Sequence, residues 1–393
     1  MKRLISLLLV LALLIVPAKA MEEFDENEWA AVEALTTVED IPLKVPSAIL
    51  MEKETGEILY ELNSHERLAP ASVTKVMTML LIVEAIESGK LNLDDTVTAT
   101  AEATGKGGSQ IYLKEGEQMS VDVLLKCVAV ASANDAATAL AEHIAGSEAA
   151  FVKMMNERAA QLGMKDTVFS NCTGLPTEGE HLTTAYDVAL MSRELIRHEM
   201  IKNYTKIWMD SIRGGEFGIS NTNKLVRFYQ GATGLKTGFT HEAGYCVAAT
   251  AERDGVEFIA VVMHGESSDA RFESAKILLN HAFANYTLVS ALPDEALPPV
   301  AVTLGEQSFV QPVPAQSPKM LMNKSEAAGL VKSIELLEEV QAPVEQGQEL
   351  GRLIISAADG TELASVPLAA DCAVAKLSWW RIFVKYLCII TMS

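Results

Sequence analysis

The chain has 393 residues, 49% hydrophobic and 21% charged, the composition of a folded globular protein with room for two domains. A formal net charge of −20 excludes nucleic acid and other polyanions as partners. Its five cysteines (Cys127, Cys172, Cys246, Cys372, Cys388) form no Cys-x-x-Cys pair, and no histidine cluster stands at metal spacing. Neither a disulfide scaffold nor a metal site is therefore expected; buried thiols are, with one structural disulfide as the alternative.

The chain opens on "MKRLISLLLVLALLIVPAKA", in which two basic residues precede an apolar run and the ending Ala18, Lys19, Ala20 suits a signal peptidase. The run is too short to span a bilayer comfortably, so residues 1–20 are expected to be a cleaved export signal. An acidic leader, "MEEFDENEW", follows. "SAILMEKETGEILYEL" then predicts two strands around Thr55 and Gly56, and "ASVTKVMTMLLIVEAI" predicts an apolar helix that Gly89 stops. From Leu91 to about Ile196 the pattern is mostly helical, broken at "GKGGSQ" and "SNCTGLPTEGEH". Strands return in "GYCVAATAERDGVEFIAVVMHG", which alternates and turns at Asp254-Gly255, and "DARFESAKILLNHAFANY" closes the segment as a helix. Strands at both ends with helices between them predict an α/β (α+β) domain over residues 21–290, a mixed antiparallel sheet with a helical cluster.

After the break "ALPDEALPP", residues 298–370 hold short alternating runs separated by Gly, Pro and Asp-Gly turns. They predict a small all-β domain without chemistry of its own, a spacer or binding platform. Residues 373–393, "AVAKLSWWRIFVKYLCIITMS", place Ser378, Arg381 and Lys385 in one sector of a helical wheel and aromatic or aliphatic residues around the rest. Two cations in its middle make a spanning helix costly, so an in-plane anchor on a membrane surface is expected.

Three short motifs carry candidate chemistry. Ser72 and Lys75 stand three apart at the start of the apolar helix, where the amine can reach the hydroxyl. Pro70 suits a helix start, which would put Ser72 in the first turn, where the dipole favours developing negative charge. Burial would lower the lysine pKa and make it a usable base. Ser-x-x-Lys alone arises on the order of once by chance in a chain of this size. Ser132 and Asn134 lie close together in an apolar helical stretch, where they either cap a helix break or face a cavity. Lys236, Thr237 and Gly238 precede a strand; the first two offer a cation and a hydroxyl to a carboxylate, and the glycine would let a ligand backbone approach.

In this order and separation the three motifs resemble those of the serine penicillin-recognising enzymes, and their contexts "PASVTKVMT", "ASANDAA" and "GLKTGFTHEAGYC" resemble the low-molecular-weight D-alanyl-D-alanine carboxypeptidases in particular. The likeness extends through the all-β domain to the amphipathic terminus. It implies a β-lactamase/transpeptidase-like catalytic fold, peptidoglycan stem peptides as substrates, β-lactam antibiotics as inhibitors and no cofactor. Ser72 would attack the carbonyl between the two terminal D-alanines and Lys75 would take its proton. Ser132 would relay a proton to the leaving amine, and Asn134 would orient Lys75 and hold the substrate amide. Lys236 and Thr237 would bind the terminal carboxylate, with Arg271 behind them, and the N–H groups of Ser72 and Phe239 would form the oxyanion hole. His143, His181 and His241 are read as solvated histidines. A class A β-lactamase would carry Glu-x-x-Leu-Asn between the second and third motifs, and this chain does not. A peptidoglycan endopeptidase, and a non-catalytic wall-binding protein on the same fold, are the remaining alternatives.

Overall fold

The computed structural model describes residues 41–293, 295–327, 329–381 and 383. The expected export signal, the acidic leader, Cys388 and most of the expected membrane anchor lie outside them.

Strands β1 (Ser47–Glu52) and β2 (Ile58–Leu62) pair around Gly56, whose φ of 75° only glycine adopts without strain. They join β3 (Ala232–Thr240), β4 (Gly244–Arg253) and β5 (Val256–Gly265) in a sheet of order β2-β1-β5-β4-β3, every pairing antiparallel. Asp254 and Gly255, with φ of 52° and 77°, supply the left-handed pair that a two-residue hairpin requires. The sequence of β4 and β5 was expected to alternate in polarity, yet both strands are buried nearly throughout. The reason is a second cover. Along β1 and β5, Ile49, Met51, Ile259, Val261 and Met263 enter one core, while Ala48, Leu50, Phe258, Ala260 and Val262 enter the other.

The first face is covered by helices α1 (Lys75–Glu87), α2 (Val121–Ala131), α3 (Asn134–Ala145), α4 (Glu148–Gln161) and α5 (Ala185–Arg197); α6 (Ser268–Asn285) covers the second. Ser120, Ser147, Thr184 and Ser267 cap four of these helices, each side chain accepting the N–H three residues on. Helix α1 is apolar on every side, and Lys75 through Val83 are all buried. Such a helix belongs at the centre of a core, which is how a lysine at its first position loses its water.

Strand Tyr286–Ser290 follows α6 directly and pairs with Lys319–Asn323, so the chain enters the second unit before the proline break. That unit holds a three-stranded sheet (Phe309–Val310, Val300–Thr303, Glu339–Gln341) and a four-stranded one (Pro312–Pro314, Glu362–Ala370, Glu349–Ser356, Val331–Leu336), with one helical turn at Lys324–Ala327. Its cores are small: Leu353, Ile355, Val366 and Leu368 pack on Ala291, and a second cluster centres on Val300 and Leu350. The Leu377 N–H donates to the Leu304 carbonyl at 2.8 Å, and just beyond this tie the rings of Trp379, Trp380 and Phe383 stack together in solvent. Among the described residues no helix is long and apolar enough to cross a membrane.

Candidate active site

Ser72 does not sit in the first α-helical turn as the sequence suggests. Ala71–Thr74 form a 3₁₀ turn, and the α-helix proper begins at Lys75. The tighter turn serves the pair, because residues three apart eclipse one another at three residues per turn. Lys75 Nζ consequently lies 3.0 Å from Ser72 Oγ. Lys75 has no exposed surface, and burial lowers its pKa to about 7, against the weaker opposing pull of Cys172 and Asp135. A neutral amine in this position can donate to one acceptor while its lone pair takes the serine proton. The acceptor is the Thr173 carbonyl, at 2.7 Å.

Asn134, expected to orient Lys75, instead donates its side-chain amide to the Gly107 carbonyl at 2.7 Å, and its backbone N–H to Ser109 O. Ser132 ends α2 in the left-handed region, with φ 60° and ψ 29°, and Ala133 bridges to α3. The motif is thus a break between two helices in which Ser132 is the C-cap through its backbone, and neither side chain caps a helix. Ser132 Oγ and Asn134 Oδ1 are buried and have no hydrogen-bond partner among the described residues. Buried oxygens of this kind call for an external partner.

The third motif lies on β3, at the edge of the sheet. Lys236 is buried and donates to the Thr237 carbonyl at 2.9 Å; Thr237 Oγ1 donates to Thr222 Oγ1 at 2.7 Å. Gly238 is also required by the fold. A Cβ there would stand 2.7 Å from Pro70 O and 3.1 Å from Ser72 N, so the glycine admits the protein's own serine turn. Arg271 reaches from α6 and donates through Nη1 to Gly238 O at 3.0 Å and Cys246 O at 3.3 Å, with its guanidinium over the Tyr245 and Phe272 rings.

The electrostatics follow from this packing. Burial lowers Lys236 well below the usual lysine range, and the nearby charges of Lys75 and Arg271 lower it further. Burial likewise brings Arg271 down to about 10. None of the three is ion-paired with a carboxylate among the described residues. Buried basic groups without a carboxylate partner suit an anionic ligand.

Several contributors carry no motif. Thr173 acts through its carbonyl, which any residue would supply. Asn171 shapes that loop: its Oδ1 accepts from Thr173 N, Thr173 Oγ1 and Gly174 N. Gly174, with φ 79°, lies against the serine turn so closely that a Cβ would fall 1.8 Å from Ala71 O. The run of Asn, Gly and Pro around it signalled a loop, but not one folded beneath a catalytic turn. His181 corrects an expectation. It is buried rather than solvated and lies 2.8 Å from Thr74 Oγ1, whereas His143, in the last turn of α3, and His241 are exposed. Burial lowers the His181 pKa to about 4. Cys127, Cys172 and Cys246 are buried free thiols, and Cys372 is free and half-buried. A cleft beside the serine turn is lined by Pro70, Ala71, Leu175, Pro176, His181 and Thr240.

Serine turn, Ser-x-Asn break and Lys-Thr-Gly edge strand, set between an antiparallel sheet and a helical cluster, define a serine hydrolase of the penicillin-binding class. Residues 34–267 match the family described as D-alanyl-D-alanine carboxypeptidase, and residues 288–376 match the C-terminal domain of penicillin-binding protein 5. The D-alanyl-D-alanine carboxypeptidase DacF of Bacillus subtilis (strain 168) is 41% identical over 375 residues, covering 94% of each chain. Among solved structures, penicillin binding protein 5 from Haemophilus influenzae is 29% identical and superposes with a TM-score of 0.74 over 85% of this chain and 98% of that one. Penicillin-Binding Protein D2 from Listeria monocytogenes, in its ampicillin-bound form, is 33% identical with a TM-score of 0.57, covering 62% of this chain and 99% of that one. The chain belongs to the D-alanyl-D-alanine carboxypeptidase family.

Proposed function

We propose that the protein removes the terminal D-alanine from peptidoglycan stem peptides through an acyl-enzyme on Ser72. The observation that carries this reading is the wholly buried Lys75 amine, with its pKa near neutrality, 3.0 Å from the serine oxygen. The terminal carboxylate of the substrate meets Lys236 and Thr237, with Arg271 bracing the strand from behind. This seats the last peptide bond over Ser72. Neutral Lys75 accepts the hydroxyl proton as Ser72 Oγ bonds to the penultimate D-alanine carbonyl carbon, and the resulting oxyanion accepts from the Ser72 and Phe239 N–H groups. Ser132 passes a proton to the departing D-alanine nitrogen as the C–N bond breaks, and Asn134 holds the substrate amide. Water then cleaves the ester, releasing the shortened peptide and restoring the hydroxyl. A β-lactam enters by the same attack but leaves a slowly hydrolysed acyl group on Ser72.

The enzyme works outside the cytoplasm, where its substrate lies, and the exposed Trp379, Trp380 and Phe383 support attachment to a membrane surface. A chain truncated after Asp371 is expected in the soluble fraction; its recovery with membranes would contradict the attachment.

The function is tested by incubating the protein with labelled penicillin, mapping the adduct, and following D-alanine release from a diacetyl-Lys-D-Ala-D-Ala peptide. A long-lived adduct on Ser72 with D-alanine release, both abolished by Ser72→Ala, is the expected result. Rapid turnover of the penicillin would make the protein a β-lactamase, and no adduct would leave a wall-binding role.

A further inference from the structure

Ala71 is a non-glycine residue with φ 45°, in the region that an L side chain disfavours, and it immediately precedes the nucleophile. Something must hold its peptide unit in place. Thr74 Oγ1 donates to the Ala71 carbonyl at 2.8 Å, and Gly174 packs against the same carbonyl. The carbonyl of Ala71 and the N–H of Ser72 are the two ends of one planar, rigid peptide unit, so whatever fixes the first aims the second. The hydrogen bond from Thr74 is therefore also a constraint on the Ser72 N–H.

Thr74 is itself held. Its hydroxyl has one hydrogen, committed to Ala71 O, so towards His181 Nε2, at 2.8 Å, it can only accept. That requires the hydrogen of His181 on Nε2 and a bare Nδ1. The other side of the ring imposes the same tautomer independently: the Ser170 backbone N–H, which can only donate, points at Nδ1 at 3.0 Å, with the Ser170 hydroxyl at 3.1 Å. The directed chain thus runs from Ser170 N–H through His181 and Thr74 to the Ala71 carbonyl, and all of Thr74, His181 and Ala71 are buried. A single neutral tautomer satisfies every link, and the burial that keeps the imidazole uncharged at neutral pH keeps that tautomer available.

We infer that Thr74 and His181 are positioning residues for the oxyanion-hole N–H of Ser72, acting through the Ala71–Ser72 peptide unit. They touch neither the substrate nor the reacting atoms. The inference rests on the proposed role of Ser72 N–H. It makes the loop around His181 part of the catalytic apparatus: by holding Thr74 it sets the donor that strengthens as the carbonyl becomes an oxyanion. A group acting only on that donor affects the transition state and leaves ground-state binding alone.

The test uses Thr74→Val, which keeps the shape and removes both hydrogen bonds, Thr74→Ser, which keeps the hydroxyl, His181→Phe, and the Thr74→Val/His181→Phe double variant. For each, kcat and KM for D-alanine release, the acylation rate with labelled penicillin and the thermal midpoint are measured. Thr74→Val is expected to lower kcat and the acylation rate by about 10- to 100-fold, less than or equal to the loss of a whole oxyanion donor, with KM within about twofold. Thr74→Ser recovers most of the loss, and the double variant is no slower than Thr74→Val because both act through one chain of bonds. Wild-type rates in Thr74→Val, a loss confined to KM, failure of serine to recover it, or additive losses in the double variant would each overturn the inference. Acylation by penicillin reads the relay even if the wild type releases no D-alanine, in which case only the substrate reading falls. A wild type that takes no label at all overturns both.

Discussion

Lys75 begins a helix with no exposed surface and no ion-paired carboxylate among the described residues, whereas Arg352, midway along a strand of the C-terminal unit, stands open to solvent and pairs with Glu335 at 2.8 Å and Glu362 at 3.3 Å. Both are basic side chains on regular secondary structure. The first is stripped of water and has no ion-pair partner, so its proton affinity falls to where a base is useful; the neighbours of the second raise its pKa, and it stays charged. The same contrast holds across the two units. Lys75 on α1, Lys236 on β3 and Arg271 on α6 are all buried in the larger unit, while the small cores of the C-terminal sheets enclose only apolar side chains. Burial deep enough to shift a lysine needs a large core, which explains why the candidate chemistry lies in the larger unit.

The sharpest way to break the comparison is to remove the buried amine. Lys75→Met should lower the rate of Ser72 acylation by at least about 10⁴-fold, the scale of losing an activated nucleophile, as read by the time course of penicillin labelling. Label uptake at near wild-type rate would mean another base serves Ser72. Next comes the loop beneath the serine turn. Gly174→Ala forces a Cβ into the Ala71 carbonyl at a residue with φ 79°, and should cost about 3 kcal/mol of stability by urea unfolding with an acylation defect larger than any seen for Thr74→Val. Normal stability in that variant would show that the loop can retreat from the turn.

On the other side of the comparison, Leu353→Ala opens a cavity in the C-terminal core, where Leu353 is fully buried. A loss of about 3 kcal/mol is expected in the unfolding of that unit, while kcat on a soluble peptide stays within about twofold of wild type. A parallel collapse of kcat would show that the two units are coupled. The smallest effect expected is thermodynamic. Because the folded-state pKa of Lys75 lies below its unfolded value, the unfolded chain binds more protons between the two, so stability rises with pH across that window and the gain is complete near the unfolded pKa. Relative to Lys75→Met, the wild type should gain about 2 kcal/mol between about pH 7 and 9. Equal pH dependence of the two would mean that Lys75 is charged in the folded protein.

How much of this was legible in the sequence depended on whether a contribution belongs to a residue type. Ser72 and Lys75 were legible because a helical spacing of three and an apolar run already imply contact and burial; only the exact kind of turn was missed. The strands and their hairpin turn were legible, but the double cover was not: the β4–β5 stretch reads as alternating, whereas both strands are buried on two faces nearly throughout. The Thr173 carbonyl was invisible, because a backbone oxygen has no signature in the side chains that follow one another. His181 was misread for a related reason. Its surroundings, rich in Gly, Pro, Glu and Thr, have the composition of a solvated loop, yet the hydrogen bonds that Asn171 Oδ1 accepts from Gly174 N, that Thr78 donates to the Cys172 carbonyl and that Thr74 accepts from His181 fold that loop under α1. For Gly238 nothing in the sequence signals that its lack of a side chain makes room for the serine turn.

The account stands or falls on whether Lys75 is the neutral base. The direct measurement is the second-order rate constant for acylation of Ser72 by labelled penicillin between about pH 5 and 10. With a Lys75 pKa of about 7, the rate should climb about tenfold per pH unit below neutrality and level off above it. A profile that keeps climbing towards the ordinary lysine value, or one that is flat through neutrality, would contradict it.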